Sequence, residues 1–538
     1  MDNAQVAYFS MEVAIDSRIP TYSGGLGVLA GDTLRSCADL GIPMVGVTLL
    51  SRKGYLFQKV DDEGLQTEEA TNWPINDFMD LIPEKITLPL NGGEVAVQAW
   101  RYTVKGIGGE VPILLLDTDL EENSPEARLL TSHLYGGDDR YRLSQEAILG
   151  IGGVKILRSL GYKPTRYHIN EGHAALSTIE VLREIGDLSE VRRQFVFTTH
   201  TPVPAGHDKF PRSLVEEVLG EYLQGDIDTL FTNGELNMTA LALEHSNYVN
   251  GVARRHGEIS RSMFPDYTID SITNGVHHVF WTSEPLRDLY DKHIPDWRGS
   301  PFSLRYAISL PSSELSQAHM QAKKMLIDRV NRARNVGMDY DVFTIGFARR
   351  FTRYKRPYLL FTDIDRLKKM KIQIVLAGKA HPMDQEGKDE IRAAYASIRS
   401  LEPDVKAVFL ENYDLELARL ITAGSDLWLN TPQIPNEASG TSGMKSALNG
   451  VPSLSVLDGW WLEGCIEGVT GWSIGEASRS DDAQDASDMY DKLEGIILPM
   501  FYDDEDNWMR VVKHTIALNG SFFNSHRMVQ QYVLRAYL

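Results

Sequence analysis

The sequence contains few cysteines and no long apolar run. Its two cysteines, Cys37 and Cys465, lie far apart in a chain of 538 residues and form no spaced set of metal ligands. We therefore expect neither a disulfide framework nor a structural zinc, and a reducing compartment fits this cysteine content. No stretch of about eighteen apolar residues is present, and the N-terminus lacks the basic residues of a signal peptide. These absences predict a cytoplasmic protein that does not span a membrane.

Positive charge is also scarce. The chain has 54 Lys and Arg residues against 74 Asp and Glu residues, which gives a formal net charge of −20. This excess of acidic residues argues against general binding to nucleic acids or anionic membranes, although local basic pockets are compatible with it. Because 538 residues exceed what one hydrophobic core usually supports, we expect two or more domains.

Short apolar runs alternate with longer amphipathic stretches along the chain. This pattern predicts an α/β fold in which parallel strands are joined by crossover helices. A long, charge-rich helix is predicted at about 315–335, and a docked helix is predicted at the C-terminus. The predicted strands are Met44–Leu50, Phe195–Thr199, Val342–Phe347, Ile372–Leu376, Val405–Leu410 and Leu427–Leu429.

Chemically active side chains follow three of these predicted strands. His200 follows one strand, Arg349 begins a basic segment after another, and the segment leading to Lys445 follows a third. Ligands of open α/β sheets bind beyond the carboxyl ends of the strands. We therefore expect these three segments to meet at one cleft.

A run of small residues, Glu437–Gly450, surrounds Lys445. Backbone N–H groups from Gly440 to Gly443 can cradle an anion at a helix N-terminus, with the lysine amine beside it. This combination suits a phosphorylated aldehyde cofactor such as pyridoxal phosphate. A glycine-softened loop that caps an ordinary helix is the alternative, and this segment alone does not decide between them.

Two other segments also favour anions. Gly24 and Gly25 lie in a glycine-dense loop before a helical stretch, where backbone amides can approach an anion, although a plain tight turn is the alternative. The second segment places Arg349, Arg350, Lys355 and Arg356 within eight residues of an acidic chain. A solvated basic patch is the usual explanation of such a run, but after a buried strand a bound phosphate explains it better.

Taken together, these motifs resemble the α-glucan phosphorylases, the family of glycogen, starch and maltodextrin phosphorylases. The matching segments occur in the order of that family across nearly the whole chain. They are Tyr8–Glu12, Gly24–Gly27, Asn170–His173, Thr199–Thr201, Val249–Ala253, Thr273–Val276 with Trp281, Arg349–Arg356, Ala377–Ala380, Glu411–Tyr413 and Glu437–Gly450.

The resemblance implies a GT-B-like fold, in which two Rossmann-like doubly wound domains face each other across a deep cleft. We expect an N-terminal glucan-binding domain at 1–275, joined by a C-terminal helix at about 518–538. A C-terminal domain at 276–517 is expected to bind pyridoxal phosphate. A homodimer is one assembly that this resemblance allows.

The resemblance also implies the cofactor site. Lys445 is expected to bind the aldehyde of pyridoxal 5′-phosphate covalently, with Tyr413 and Trp281 near its ring. The residues expected around the cofactor phosphate are Arg349, Thr441, Ser442, Gly24 and Gly25.

The implied reaction is the reversible, retaining phosphorolysis of terminal α-1,4-linked glucose units of glycogen or maltooligosaccharides by inorganic phosphate, which yields α-glucose 1-phosphate. Arg350 and Lys355 are expected to hold the substrate phosphate next to the cofactor phosphate, which relays a proton to the leaving oxygen. No pair of carboxylates at glycosidase spacing is then required.

Sugar contacts follow from the same resemblance. Asn274 and His200 are expected to bind the glucose 6-hydroxyl group, and the His200 carbonyl is expected to face the developing positive charge. Glu171 and His173 resemble a pair that meets the next glucose unit, although for His173 an ordinary core histidine is the alternative. The remaining residues expected near the sugar are Glu437, Ala438, Ser439, Gly440 and Tyr354.

The chain departs from the family pattern at several positions. Arg349 stands where lysine is usual, and Glu171 replaces the commoner aspartate. Ser442 and Gly443 stand where glycine and asparagine are usual, and Arg353 replaces a frequent glutamate. The loop near 136–142 is short, and the first motif begins at residue 8. We therefore expect a short form without the N-terminal regulatory extension, with constitutive activity.

Two other functions fit parts of the pattern. A nucleotide-sugar glycosyltransferase, such as an α-glucan synthase, could use Arg350, Lys355 and Glu437 for its donor, but it gives no reason for Lys445. A non-catalytic glucan-binding protein would lose the phosphate ligands, which this chain retains.

Overall fold

The structure, a computed structural model, describes residues 4–203, 206–222 and 230–538. The described part of the chain forms two compact units. Unit 1 comprises residues 1–56, 70–272 and 529–538, and unit 2 comprises residues 57–69 and 273–528. Both described cysteines are free thiols. Among the described helices, none combines the length and the apolar character that a membrane span needs.

The described strands, in chain order, are β1 (Val6–Ser10), β2 (Met44–Leu49), β3 (Phe57–Val60), β4 (Gln66–Glu69), β5 (Asp80–Leu90), β6 (Gly93–Lys105), β7 (Glu110–Asp117), β8 (Arg166–Asn170), β9 (Phe195–Thr198), β10 (Lys209–Pro211), β11 (Phe231–Thr232), β12 (Glu235–Asn237), β13 (Tyr248–Gly251), β14 (Asp270–Ser271), β15 (Phe343–Ala348), β16 (Ile372–Ala377), β17 (Lys406–Leu410), β18 (Leu427–Asn430), β19 (Ser453–Val456) and β20 (Gly471–Ile474).

The described α-helices are α1 (Gly25–Leu40), α2 (Pro125–Arg128), α3 (Asp139–Ala147), α4 (Gly153–Ser159), α5 (Leu176–Ile185), α6 (Leu188–Gln194), α7 (Arg212–Leu219), α8 (Met238–Glu244), α9 (Arg254–Met263), α10 (His278–Trp281), α11 (Glu284–His293), α12 (Ser312–Arg334), α13 (Ile364–Leu367), α14 (Gln385–Leu401), α15 (Leu415–Gly424), α16 (Ser442–Ala447), α17 (Trp461–Gly464), α18 (Asp482–Lys492), α19 (Leu498–Asp503), α20 (Glu505–His514) and α21 (Ser525–Tyr532).

Unit 2 is built on a parallel sheet of six strands in the order β17-β16-β15-β18-β19-β20. This order, in which β15 and β18, the first and fourth strands of the sheet along the chain, are neighbours, is that of a doubly wound fold. The strands are short apolar runs with buried side chains on both faces, as the sequence predicted. One buried apolar cluster extends from α12 through β16 and β17 to α15.

Unit 1 contains a sheet of nine strands in the order β14-β13-β9-β8-β1-β2-β7-β6-β5. The strands from β14 to β7 pair in parallel, whereas β6 and β5 extend the sheet as an antiparallel hairpin. The order again reverses, here between β1 and β8, because β2 lies on the other side of β1. The α/β class with parallel sheets is therefore confirmed, but the sequence analysis did not predict the antiparallel extension.

The predicted N-terminal domain differs from unit 1 at three places, one of which is residues 273–275, which belong to unit 2. The hairpin β3–β4 belongs to unit 2, because its buried Gln58 and Gln66 bind loops of that unit. Gln58 Nε2 donates to the Gly378 carbonyl over 2.8 Å, and Gln66 Nε2 donates to the Ala380 carbonyl over 3.0 Å. Residues 518–528 also belong to unit 2, since Ser525 N donates to the Val276 carbonyl over 2.9 Å.

A buried ion pair connects α12 to the residue that precedes β18 in unit 2. Lys323 Nζ lies 2.6 Å from Asp426 Oδ2, and each side chain is 1% exposed. The same carboxylate accepts hydrogen bonds from the Thr344 backbone and the His319 ring, over 2.7 and 2.9 Å. Asp426 therefore has a partner on each oxygen, and loss of the lysine leaves a buried negative charge poorly compensated.

We expect Lys323→Met to lower the free energy of unfolding by about 3–5 kcal/mol, because it removes one partner of a buried ion pair. Lys324→Met is the matched control, since Lys324 is exposed at the next position of the same helix; its change should stay within about 0.5 kcal/mol. Urea unfolding monitored by circular dichroism measures both values. Equal stability of the two variants would contradict the assigned role of the ion pair.

Candidate functional site

The strand order of unit 2 reverses between β15 and β18, and charged residues follow both strands. Arg349 follows β15, and its guanidinium donates to Asn430 Oδ1 at the end of β18 and to Glu437 Oε2. Lys355 Nζ donates to the same Glu437 oxygen over 2.6 Å. Lys355 and Glu437 are each 7% exposed. Two of the predicted cations therefore contact Glu437, which was predicted to bind sugar, in a largely buried position.

The Glu437 carboxylate is ionised in this setting. Burial raises its pKa, but the charges of Lys355 and Arg349 more than offset this effect and bring the pKa to about 2. Asp458, which follows β19, behaves in the opposite way. Burial is the main cause that raises its pKa to about 6, and the nearby Glu437 charge adds to it.

Asp458 and its neighbours hold the segment that carries Glu437. The two Asp458 oxygens accept hydrogen bonds from the backbone N–H groups of Glu437 and Gly459, each over 2.9 Å. Trp460 N donates to the Ser439 carbonyl over 2.9 Å. Gly459 has a φ of +55°, and an added Cβ would lie 2.3 Å from Ser439 O, so only glycine fits there. The positions of Glu437, Ala438 and Ser439 thus depend on the turn after β19.

Lys445 lies in the short helix α16 and is 4% exposed. Its Nζ lies 3.9 Å from the centre of the Trp281 ring. Asn449 connects the two residues, because its Nδ2 donates to the carbonyls of Trp281 and Lys445, each over 2.9 Å. The predicted amine and one of the predicted ring contacts are therefore adjacent and fixed by the same amide.

The other predicted ring contact, Tyr413, follows β17 and packs partly buried against the apolar cluster of unit 2. Burial is the main cause that raises the pKa of its hydroxyl group, whereas the charge of Arg349 lowers it. Tyr413 therefore lies within the electrostatic range of Arg349. Its hydroxyl group stays protonated at neutral pH.

The glycine-rich run before α16 is shaped by tryptophans. Trp428 Nε1 donates to Ser442 Oγ over 3.1 Å, which gives the serine side chain a structural partner. An added Cβ on Gly443 would lie 2.7 Å from the ring of Trp460, so this glycine allows the tryptophan to pack closely. Gly440 has a φ of +76°. The Thr441 carbonyl accepts the hydrogen bond of the Lys445 backbone N–H over 3.2 Å, which begins the helix.

These residues fit a phosphorylated aldehyde cofactor. A buried amine lies against an indole ring, and the Nε of Arg349 is buried with no hydrogen-bond partner among the described residues. An unpartnered guanidinium N–H is a suitable donor to a phosphate oxygen. The backbone around Thr441 and Ser442 is the part of unit 2 where the sequence predicted further donors.

Arg350 and Lys355, the predicted phosphate ligands, both belong to the basic segment after β15. Arg350 is exposed, whereas the Lys355 Nζ lies 4.5 Å from the ring centre of Tyr354. Burial raises the pKa of the Tyr354 hydroxyl group, but the charges of Lys355 and Arg350 outweigh it and lower the pKa overall. The two predicted phosphate ligands therefore lie close enough to affect one tyrosine.

Arg356 differs from its neighbours, because it is 1% exposed and bound by unit 2 itself. It lies 2.8 Å from Asp482 and 2.7 Å from Asp485, and it donates to the Thr431 and Pro432 carbonyls. The sequence predicted Arg356 as one of four cations around a phosphate. The structure corrects this assignment, since the Arg356 guanidinium already has two carboxylate partners.

Asn274 precedes the turn that leads to α10 and is 4% exposed. Its Oδ1 is buried with no hydrogen-bond partner among the described residues. Its backbone is fixed by Arg527, whose guanidinium donates to the Thr273 and Asn274 carbonyls over 2.6 and 2.9 Å. A held residue with an unused acceptor is consistent with a ligand hydroxyl group.

In unit 1 the predicted site residues follow the strands at the reversal of the sheet. Glu171 comes directly after β8, and its Oε2 accepts from His200 N and Thr201 Oγ1 over 2.7 and 2.9 Å. Its Oε1 accepts from Gly172 N over 3.0 Å. The backbone φ of Glu171 is +74°, an unfavourable value for a residue other than glycine. Glu171 therefore holds the backbone of His200 in place.

His173 lies beside Tyr135 and a charged cluster. Its ring centre is 5.9 Å from that of Tyr135, and its Nε2 is 3.5 Å from Asp208, which also binds Arg142 over 2.8 Å. Burial and the nearby Arg142 charge lower the pKa of His173 to about 4, so the ring is neutral. Its Nδ1 is buried with no partner among the described residues, unlike that of a satisfied core histidine.

The glycine-dense loop before α1 is held by Glu12. The Glu12 carboxylate accepts from the Ser23 and Gly24 backbone N–H groups over 2.6 and 3.1 Å, and from the Tyr135 hydroxyl group over 3.1 Å. An added Cβ on Gly24 or Gly25 would meet nothing within 4 Å. The Gly24 amide is thus engaged within the loop, whereas Gly25 opens the 16-residue helix α1 beside empty space.

Sequence reasoning missed several polar residues that fix this geometry. Asp458 precedes a glycine after β19, and Asn430 ends β18, so inspection of every strand exit would have found both. Asn449 carries no local signal, because its partners lie up to 168 residues away. Asn170 was quoted only as part of a motif, although it is 1% exposed and contacts His200.

Comparison with known proteins gives a consistent picture. The family model described as "Carbohydrate phosphorylase" matches residues 226–467. The chain is 38% identical to the maltodextrin phosphorylase of Thermococcus litoralis, over 99% of this chain and 70% of that protein. It is 36% identical to the glycogen phosphorylase of Mycobacterium tuberculosis, again over 99% and 70% of the two chains. It is 35% identical to that of Aquifex aeolicus, over 99% and 86%.

The similarity extends over almost the whole chain, and the residues described above in both units fall within it. The chain belongs to the carbohydrate phosphorylase family.

Proposed function

We propose that this protein is an α-1,4-glucan phosphorylase. Inorganic phosphate gives a proton to the glycosidic oxygen of the terminal, non-reducing glucose unit and forms a bond to its anomeric carbon. The glycosidic bond breaks, the shortened glucan leaves with a free hydroxyl group, and α-glucose 1-phosphate forms with retained configuration. The observation that carries the proposal is the buried cluster in which Arg349 and Lys355 meet Glu437 in the unit that also buries Lys445 against Trp281. The printed names of the relatives, maltodextrin and glycogen phosphorylase, support the same substrate class.

The cofactor of this reaction is pyridoxal 5′-phosphate. When bound, it supplies a phosphate group that can exchange a proton with the substrate phosphate. Lys445 would hold it covalently, Trp281 and Tyr413 would contact its ring, and Arg349 would bind its phosphate. Backbone N–H groups of Thr441 and Ser442 would add further donors, and the contact of Gly24 and Gly25 with the cofactor stays a prediction of the resemblance.

The substrate phosphate is assigned to Arg350 and Lys355. Both residues lower the pKa of the nearby Tyr354, and the Glu437 charge opposes this effect in part. The protein's contribution is then the fixed placement of charged groups, which costs no rearrangement during the reaction. Tight positioning of two reactants can be worth about 7–11 kcal/mol.

Candidate sugar-binding groups are proposed for each unit separately. In unit 2 the unpartnered Oδ1 of Asn274, the Glu437 carboxylate and the Ala438–Gly440 backbone are proposed to meet glucose hydroxyl groups. In unit 1 the His200 ring and carbonyl are proposed to meet the terminal glucose, with His173 on the acceptor side. Glu171, which was predicted on the acceptor side, is instead proposed to act on the terminal glucose through His200, because its own oxygens are bound by backbone and hydroxyl donors.

The wider arrangement also stays a prediction of the resemblance. This applies to the deep cleft of a GT-B fold, the assignment of glucan binding and cofactor binding to separate domains, and the homodimer.

Lysine labelling tests the cofactor assignment. After incubation with pyridoxal phosphate and reduction by borohydride, peptide mapping should find the label on Lys445. Lys379 is the competing site, because burial lowers its pKa to about 8 and makes it a reactive amine. Lys445→Ala should lose both the label and the formation of glucose 1-phosphate, whereas Lys379→Met should keep the label. An active Lys445→Ala protein that consumes a nucleotide sugar would instead support a glycosyltransferase.

Lys355→Ala tests the phosphate assignment. Loss of a charge-assisted hydrogen bond worth about 1.5–3 kcal/mol should raise the KM for phosphate by about tenfold or more. The KM for maltodextrin should change by less than about threefold, because no sugar contact is removed. Arg353→Ala is the control, since Arg353 belongs to the same basic segment but is exposed. Steady-state kinetics that show equal losses for both substrates would refute the role of Lys355.

Protonation of Asp458 should lower the activity at acidic pH. With a pKa of about 6, its carboxylate takes up a proton below that pH and then accepts the Glu437 N–H less strongly. We expect kcat/KM to fall below about pH 6 for this reason. Asp458→Asn should lose about tenfold in kcat/KM at all pH values, because an amide offers only one acceptor for two N–H donors.

The control for this profile is Asp384→Asn. Asp384 accepts the Gly387 N–H as the N-cap of α14, where asparagine is equally suitable, so its pH profile should match that of the unmodified enzyme. A fall in kcat/KM at acidic pH that persists in Asp458→Asn would be assigned to another group.

A further inference from the structure

A chain of four polar groups lies at the point where the sheet of unit 1 reverses. His200 Nε2 lies 2.6 Å from Asn170 Oδ1, and Asn170 Nδ2 lies 3.1 Å from Ser10 Oγ. Ser10 Oγ lies 2.7 Å from the Glu12 carbonyl oxygen. Ser10 and Asn170 are direct partners in the parallel pairing of β1 and β8, and they are 0% and 1% exposed. Water therefore has little access to the middle of this chain.

The direction of these hydrogen bonds follows from the two ends of the chain. The Glu12 carbonyl can only accept, so the single proton of the Ser10 hydroxyl group points towards it. Ser10 Oγ must then accept a hydrogen bond from Asn170, which places the amide NH2 group on the serine side. The amide oxygen consequently faces His200. In the opposite orientation of the amide, Asn170 Oδ1 would face Ser10 Oγ, and neither oxygen would have a proton to donate to the other.

An acceptor opposite His200 Nε2 determines the state of that ring. Burial lowers the pKa of His200 well below its usual range, and neighbouring histidines lower it further. The ring is therefore neutral at neutral pH and carries one proton. Because Asn170 Oδ1 offers only lone pairs, the proton lies on Nε2, and Nδ1 is left as an acceptor.

We propose that Asn170 is a positioning residue that holds His200 in the Nε2–H tautomer, so that Nδ1 can accept a hydrogen bond from a sugar hydroxyl group. This inference rests on the proposed function, which assigns the terminal glucose to His200. Glu171 complements it, because its carboxylate fixes the His200 backbone while Asn170 fixes the ring. Ser10 contributes indirectly, since it sets the orientation of the Asn170 amide.

The tautomer is measured by nitrogen-15 NMR of the full-length protein labelled at the histidine rings. His200 is assigned by the signals that disappear in His200→Gln. The unmodified protein should show a protonated Nε2 and a bare Nδ1. Asn170→Ala and Ser10→Ala should both shift His200 towards a mixture of tautomers, and Ser10→Ala serves as the milder variant in case Asn170→Ala fails to fold.

Asn250→Ala is the matched control. Asn250 is a buried asparagine of β13 in the same sheet, and it binds Thr198 and Tyr532. Its replacement should leave the ring signals of His200 unchanged. A protonated Nδ1 in the unmodified protein, or an unchanged Nε2–H signal in both Asn170→Ala and Ser10→Ala, would overturn the inference.

Kinetics with a deoxy analogue separate this inference from the proposed function. Activity is measured in the synthesis direction with glucose 1-phosphate and with 6-deoxyglucose 1-phosphate. Asn170→Ala should lower kcat/KM for glucose 1-phosphate by about tenfold and should lower it much less for the analogue. Equal losses for both substrates would mean that Asn170 has only a structural role. An unmodified protein with no activity towards either substrate would refute the proposed function, whereas the NMR result would still test the tautomer.

Discussion

The reversal of strand order within each parallel sheet is the constraint on which the candidate site depends. At such a reversal the connections from two neighbouring strands leave towards opposite faces, so the carboxyl ends of those strands remain uncovered. In unit 2 this occurs between β15 and β18, from which Arg349 and Asn430 emerge. In unit 1 it occurs between β1 and β8, from which Ser10 and Asn170 emerge. The strand order alone therefore leaves an open position for a ligand in each unit, whichever side chains line it.

Charge balance then decides which side chains can occupy that place. Arg349 and Lys355 are largely buried, which is costly for a cation unless a partner compensates it. Glu437 compensates both with one oxygen, and its own segment is held by Asp458, whose carboxylate accepts two backbone N–H groups. The arrangement therefore has two layers. The cations Arg349 and Lys355 surround the Glu437 carboxylate, and the Asp458 carboxylate fixes the Glu437 backbone. Such layers keep charged groups in position without relying on flexible contacts.

The sequence predicted six strands that consist of apolar runs, but it missed the apolar strands β1 and β7 and also strands that carry buried polar residues. The six predicted strands are present, from β2 to β18, within one or two residues. Strand β8 was missed because its sequence, Arg166–Asn170, places His168 and Asn170 in buried positions and shows no apolar run. The hairpin β3–β4 was assigned to the wrong unit because its contacts lie more than 300 residues away, which no local pattern encodes. For the site, residue types were predictable from motifs, whereas their partners were not.

The departures of this chain from its family become intelligible through these partners. At position 443, where the resemblance leads us to expect asparagine, an added Cβ would lie 2.7 Å from the Trp460 ring, and at position 442 the serine hydroxyl group accepts the Trp428 Nε1–H over 3.1 Å. The longer side chain of Glu171 allows one carboxylate to reach Gly172 N with one oxygen and His200 N with the other. A shorter aspartate has less reach for both contacts from the same backbone. In this chain the Glu171 carboxylate therefore supports His200, and it ties the position of the His200 backbone to the exit of β8.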